Sequence, residues 1–144
     1  MSANGRKKDY LFVYGTLRKG LGHPMRRVLA RHAKFVGMGK FRGKLYDLGK
    51  YPGAAASGAE SDAVRGELYR FGDAERIFPI LDGYEGPRFR REIVTVSVGP
   101  KKKLRLWIYL YAGALGGLKP ILSGDYLEFR QGGRGAVAGF KESP

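Results

Sequence analysis

The chain has 144 residues, 43% apolar and 28% charged, which suits one domain with a single hydrophobic core. It has no cysteine, which excludes disulfides, zinc–thiolate sites and cysteine nucleophiles, and no long apolar run, which excludes a transmembrane helix. The formal net charge of +14 is concentrated early, because residues 1–50 carry 13 Lys or Arg against two acids, Asp9 and Asp47. A basic half of this kind attracts nucleic acid or small anions, although charge runs are most often solvated faces.

Residues 1–8 read as a disordered basic arm, residues 9–132 as one domain, and residues 133–144 as a loose C-terminal tail. Arg6, Lys7 and Lys8 precede an apolar stretch, but that stretch breaks at Gly15-Thr16 and is too short for a signal peptide. With no cysteine either, the expected location is the cytoplasm. Tyr10 to Tyr14 is apolar on both faces, the pattern of a central strand.

His23 to Ala33 reads as a helix with Pro24 in its first turn and Met25, Val28, Leu29 and His32 on one face. Phe35 to Leu48 reads as glycine-broken strand, and Tyr51-Pro52-Gly53 as a turn. Val64 to Phe71 is a strand, and Ala74 to Leu81 a short helix limited by Pro79. Arg91 to Val98 alternates, with Val94, Val96 and Val98 on one face. Gly99-Pro100 and Lys101 to Lys103 form a hairpin turn.

From Leu104 to Ala112 the alternation resumes. Leu104, Leu106, Ile108 and Leu110 lie opposite Arg105, Trp107, Tyr109 and Tyr111. After Gly116-Gly117 the chain is turn-rich. Five or more short strands with few helices imply an α+β, mainly β domain: a small closed barrel or strongly curved sheet with short flanking helices. Gly37, Gly39, Gly43 and Gly66 are placed to allow the curvature.

Several chemistries fail on spacing. Gly37-Met38-Gly39 lacks the third glycine of a dinucleotide loop, since position 42 is arginine, and no P-loop is present. His23 and His32 lie nine apart with no acidic cluster between them, which gives no metal site. No Gly-x-Ser-x-Gly elbow supports a serine nucleophile.

Two segments carry chemistry. In "FVYGTLRKG" a strand runs into Tyr14-Gly15-Thr16-Leu17, where successive backbone N–H groups can form a hollow for a carboxylate or phosphate. Arg18 and Lys19 add positive potential there. In "ILDGYEGPRFRREIVTV", Asp82 and Glu85 flank Gly83-Tyr84 in a loop between helix and strand, where apolar neighbours would raise a carboxyl toward acid–base use. Simpler local readings are an ordinary turn and surface pairing of these acids with Arg88, Arg90 or Arg91. Glu67 in "RGELY" is a rival carboxylate, read as a structural strand residue.

Taken in order, "FVYGTLRKG", "LYDLGKYPGAAAS", "VRGELYRF", "LDGYEG", "FRREIVTV" with "WIYLY", and "ILSGDYLEF" resemble the gamma-glutamylcyclotransferase-like family, in particular its gamma-glutamylamine cyclotransferase branch. The resemblance covers roughly residues 10 to 130. It implies a small β-barrel with flanking helices, and release of 5-oxoproline from gamma-glutamyl amines or gamma-glutamyl amino acids. It implies that the backbone of Tyr14, Gly15, Thr16 and Leu17 holds the glutamyl end and that Glu85 is the acid/base. It also places Tyr51, Pro52, Phe89 and Tyr126 at the substrate. Phe89 stands where relatives commonly have tyrosine, and Tyr126 where many have tryptophan.

The reaction that the resemblance implies is an acyl transfer of the lyase type in which the substrate's own α-amine attacks its γ-carbonyl. It therefore needs no cofactor and no metal. The expected partner is a small gamma-glutamyl molecule, with no membrane. The alternatives are a non-catalytic ligand- or protein-binding module on the same barrel and, ranked last, a basic nucleic-acid-binding barrel. The sequence sets neither the leaving amine nor the oligomeric state.

Overall fold

The computed structural model describes residues 6–15, 17–18 and 25–137. In chain order the elements are β1 (Arg6–Val13), α1 (Arg26–His32), β2 (Ala33–Phe41), β3 (Gly43–Asp47), β4 (Pro52–Ala56) and β5 (Val64–Phe71). There follow α2 (Ala74–Glu85), β6 (Phe89–Ser97), β7 (Lys103–Tyr111), β8 (Lys119–Pro120) and α3 (Tyr126–Val137). Five strands close a barrel in the order β1-β5-β2-β6-β7, and β4-β3-β8 form a small second sheet. The barrel closes on itself through a parallel pairing of β1 with β7. All other strand pairs are antiparallel.

Alternation along the strands builds two cores. Phe12, Leu68, Val96, Leu106, Ile108 and Leu110 point into the barrel, with Phe41, Leu45 and Tyr126 completing that cluster. Leu11, Val13, Tyr69, Phe71 and Tyr109 point outward, under Leu29 of α1 and Ile77, Phe78 and Leu81 of α2. Both faces of β1 are buried, which is why it reads as a continuous apolar run.

The strands hold glycine where side chains would collide. A Cβ on Gly66 would stand 2.5 Å from the Val13 carbonyl oxygen and 2.7 Å from Phe12 Cζ. At Gly37 the β2–β5 register shifts and φ is +149°, a bulge that bends the strand.

Several sequence expectations need correction. Arg6–Lys8 belong to β1 rather than to a disordered arm, and residues 133–137 belong to α3 rather than to a loose tail. Residues 1–5 and 138–144 lie outside the described residues, as do His23 and Pro24. The helix expected over His23 to Ala33 spans Arg26–His32. The stretch Phe35 to Leu48 is two strands in different sheets. Pro52-Gly53 is not a turn but the start of β4, where proline at a strand's first position on a sheet edge loses no ladder bond. Finally, α2 continues past Pro79 to Glu85, carried by the burial of Ile77, Phe78 and Leu81. Asp82 and Glu85 are thus helical, one turn apart on one face, rather than in a loop.

Candidate active site

The end of β1, the start of β4, the last turn of α2 and the start of β6 converge on a cavity of about 150 Å³. Tyr14, Gly15, Leu17, Tyr51, Pro52, Glu85 and Phe89, all expected at the site, line it. Thr16 lies outside the described residues. Tyr126 does not line the cavity: it is fully buried in the barrel core, stacked on Phe129 with ring centroids 6.1 Å apart. In this chain the Tyr126 ring fills the barrel.

The turn after β1 is closed by the Arg18 N–H donating to the Gly15 carbonyl at 3.1 Å. A Cβ on Gly15 would stand 3.1 Å from Pro52 Cγ, so glycine lets this turn lie against β4. The Tyr14 hydroxyl is fully engaged in the scaffold. It donates to the Tyr109 carbonyl at 2.6 Å and accepts from the Ala54 N–H at 3.1 Å, pinning the end of β1 to β7 and β4. Burial holds this phenol well above its usual range, so it stays neutral. The Tyr14 side chain therefore supplies no acid to the site.

Glu85 is the last residue of α2, and Gly86 after it ends the helix at φ +82°, its N–H donating to the Asp82 carbonyl at 3.1 Å. Burial, then the charge of Asp82, push the Glu85 carboxyl up from 4.5 to about 7. The negative end of the helix acts in the same direction.

Asp82 behaves oppositely. Partial burial works to raise it, but hydrogen bonds from Arg91 and Tyr109 and the charge of Arg91 outweigh that and hold it below the usual range. Arg91 grips it with two bonds, Nε to Oδ1 at 2.8 Å and an Nη to Oδ2 at 3.1 Å, and the Tyr109 hydroxyl donates to Oδ1 at 2.7 Å. The Arg91 guanidinium is itself held over the rings of Phe78 and Trp107, at 4.5 and 4.2 Å. Two carboxyls one helical turn apart are thus driven to different protonation states, which separates a fixed anion from a group able to exchange a proton near neutrality.

At the mouth, Phe89 packs between Tyr51 and Tyr111, with centroids 5.9 and 5.7 Å away. Arg88 donates to the Tyr51 hydroxyl at 3.5 Å. Sequence reasoning missed Tyr84 and Tyr109 in the cavity wall. Tyr84 sits beside Glu85 in sequence, so the helix that carries one brings the other. For Tyr109, the strand period gave the face but not what packs on it. Glu67 does not line the cavity: it is buried on the outer face of β5, ion-paired with Arg18. Among the described residues no cluster of three His, Asp or Glu side chains is placed to hold a metal, and no helix is long and apolar enough to cross a membrane.

Together, the fold and site define a small closed barrel in which a half-buried carboxyl shares one cavity with the turn at Tyr14, Gly15 and Leu17. The chain belongs to the gamma-glutamyl cyclotransferase, AIG2-like family, whose model matches residues 11–128. It is 32% identical over 120 residues to the gamma-glutamylcyclotransferase family protein YtfP of Escherichia coli K12, a match covering 82% of this chain and 96% of YtfP. The solution NMR structure of YtfP from Escherichia coli gives a TM-score of 0.59 at 31% identity, over 84% of this chain and 98% of that one. YkqA from Bacillus subtilis gives 0.67 at 24% identity over 88% of this chain, which spans only 42% of YkqA. An AIG2-like protein from mouse gives 0.60 at 24% identity, over 76% of this chain and 81% of that one. These last two are likenesses of fold.

Proposed function

We propose that the protein is a gamma-glutamyl cyclotransferase that releases 5-oxoproline from a small gamma-glutamyl amine or gamma-glutamyl amino acid, with Glu85 as its acid/base. The observation that carries this reading is one cavity lined both by Glu85, raised to about 7, and by the turn at Tyr14, Gly15 and Leu17. Backbone N–H groups of that turn hold the glutamyl end of the substrate. The ionised Glu85 carboxylate takes a proton from the substrate's α-ammonium. The freed amine attacks the γ-carbonyl, forming the lactam C–N bond, and gives up a second proton through Glu85 as it becomes the lactam N–H. The amide C–N bond to the leaving amine breaks as Glu85 relays these protons in turn to the departing nitrogen, which leaves as its ammonium.

No water is consumed, and the two protons lost by the α-nitrogen are the two gained by the departing nitrogen, so Glu85 ends as the carboxylate it began. The nucleophile belongs to the substrate, so the protein's part is to fold the glutamyl chain for attack. Well-oriented intramolecular reactions of this kind reach effective molarities on the order of 10⁵ M or more. Burial, helped by the charge of Asp82 that Arg91 and Tyr109 hold as an anion, keeps Glu85 high enough to be both acid and base near neutrality.

The test is to incubate the protein with gamma-glutamyl amines, gamma-glutamyl dipeptides and glutathione and measure 5-oxoproline. The wild type should release it from at least one class, and Glu85→Gln should lose roughly 10²-fold or more in kcat while keeping the fold. Wild-type turnover by Glu85→Gln rejects the assignment.

A further inference from the structure

Behind the turn that forms one wall of the cavity lies a charged network that the reaction does not touch. Arg18 is 3% exposed and Glu67 is 3% exposed, the two charged residues among the described residues that are fully buried. The Arg18 Nε donates to Glu67 Oε2 at 3.3 Å, and one Nη donates to Asp125 Oδ1 at 2.9 Å and reaches the Arg65 carbonyl at 3.5 Å. The partners are themselves fixed. The Tyr69 hydroxyl donates to Glu67 Oε1 at 2.7 Å, and Asp125 Oδ1 accepts the backbone N–H groups of Leu127 and Glu128 at the start of α3.

We infer that Arg18 is a positioning residue: its buried guanidinium braces the Tyr14–Arg18 turn against β5 and the start of α3, and so fixes the backbone donors offered to the ligand. The inference rests on the function proposed above for its kinetic consequence, but not for its structural one. A buried pair is a poor route to stability, because desolvating two charges offsets their attraction. Its use here is geometric. Among the described residues the turn has one internal hydrogen bond, and a turn held only by that bond would sample many arrangements of its N–H groups. The planar guanidinium donates along two directions, one to a strand and one to a helix start, and this fixes the turn in position and in tilt. Lysine, with one point charge, cannot hold both partners in the same plane.

The test uses Arg18→Lys and the doubly neutral R18Q/E67Q, which avoids leaving a buried carboxylate unpaired if Arg18→Gln alone does not fold. Amide hydrogen exchange is read at Leu17 and Arg18 and at the β6–β7 ladder, alongside the rate of 5-oxoproline release and its kcat and KM. Positioning predicts exchange at Leu17 and Arg18 faster by about tenfold or more with the ladder unchanged. In an active enzyme it predicts kcat/KM lower by about 10- to 100-fold with the pH inflection due to Glu85 unmoved. Arg18→Lys should fall between wild type and R18Q/E67Q.

Unchanged exchange in the turn, or unchanged kcat/KM in an active enzyme, overturns the inference. So does a uniform rise in exchange across the barrel, which would mark Arg18 as a general stabiliser. A wild type that releases no 5-oxoproline counts against the proposed function alone, and the exchange measurement then decides the role of Arg18.

Discussion

At about 7, the Glu85 carboxyl is divided between its two protonation states near neutral pH, and the proposed cyclisation asks it to use both. In the free enzyme the ionised form must take the first proton. The rate constant kcat/KM should therefore rise with pH through an inflection near 7. Replacing Asp82 by asparagine removes the negative neighbour and frees the Arg91 charge, and both changes favour the ionised form of Glu85. Burial remains, so the inflection should move toward acid but stay above the ordinary 4.5. An initial-rate pH profile of Asp82→Asn against wild type checks this. An inflection that stays in place would mean that Asp82 does not set the Glu85 proton affinity.

Elements explain how much of this was legible in the sequence. The strands β6 and β7 are readable because apolar residues recur at every second position, as in Leu104, Leu106, Ile108 and Leu110. The same period placed Val94, Val96 and Val98 together, and all three pack in the barrel. What was not legible depends on contacts far apart in sequence. Pro52-Gly53 looks like a turn in isolation and becomes a strand only through pairing with Tyr46 and Asp47. Pro79 argues for a short helix until the aromatic and aliphatic side chains beneath it are counted. The site was legible in its two halves, because both are local segments. Pairing of Asp82 with Arg91 was among the local readings and is what the structure shows. The burial of Arg18 and the hydrogen bond from Tyr109 to Asp82 were not legible, since both depend on which strand faces which.

Glycine within an element gives a prediction of its own. Gly66 of β5 lies against β1, where an added methyl meets a backbone oxygen that cannot move aside. Gly66→Ala should destabilise the protein by about 1–3 kcal/mol, read as a lower urea midpoint. A midpoint equal to wild type would mean that the barrel relaxes there freely.

For the molecule as a whole, Glu85 writes a pH dependence into stability. Unfolded, its carboxyl releases a proton near 4.5, whereas the folded protein keeps that proton to about 7. The folded state therefore binds more protons in this window, and stability falls as pH rises from 4.5 to 7. Below 4.5 the favourable contribution is fully present, and above 7 it is lost. The loss is at most on the order of 3 kcal/mol, since Glu85 is only partly buried. Urea unfolding of wild type and Glu85→Gln at pH 4.5 and pH 8 isolates it. The difference between the two proteins should grow in favour of glutamine as pH rises, and a pH-independent difference would show that the site does not strain the carboxyl.

The parallel pairing of β1 with β7 has a consequence for how the protein comes into being. The Tyr14 hydroxyl and the Tyr109 carbonyl that join across this closure are separated by 95 residues, so the ring is completed by one of its longest-range contacts. Loop-closure entropy delays such contacts until the intervening strands have ordered. During synthesis, the turn at Gly15 leaves the ribosome early and then waits for β7 before its wall of the cavity can be fixed. The cavity is therefore a property of the finished ring, and a nascent chain that ends before Leu104 carries both halves of the candidate site without the cavity that joins them.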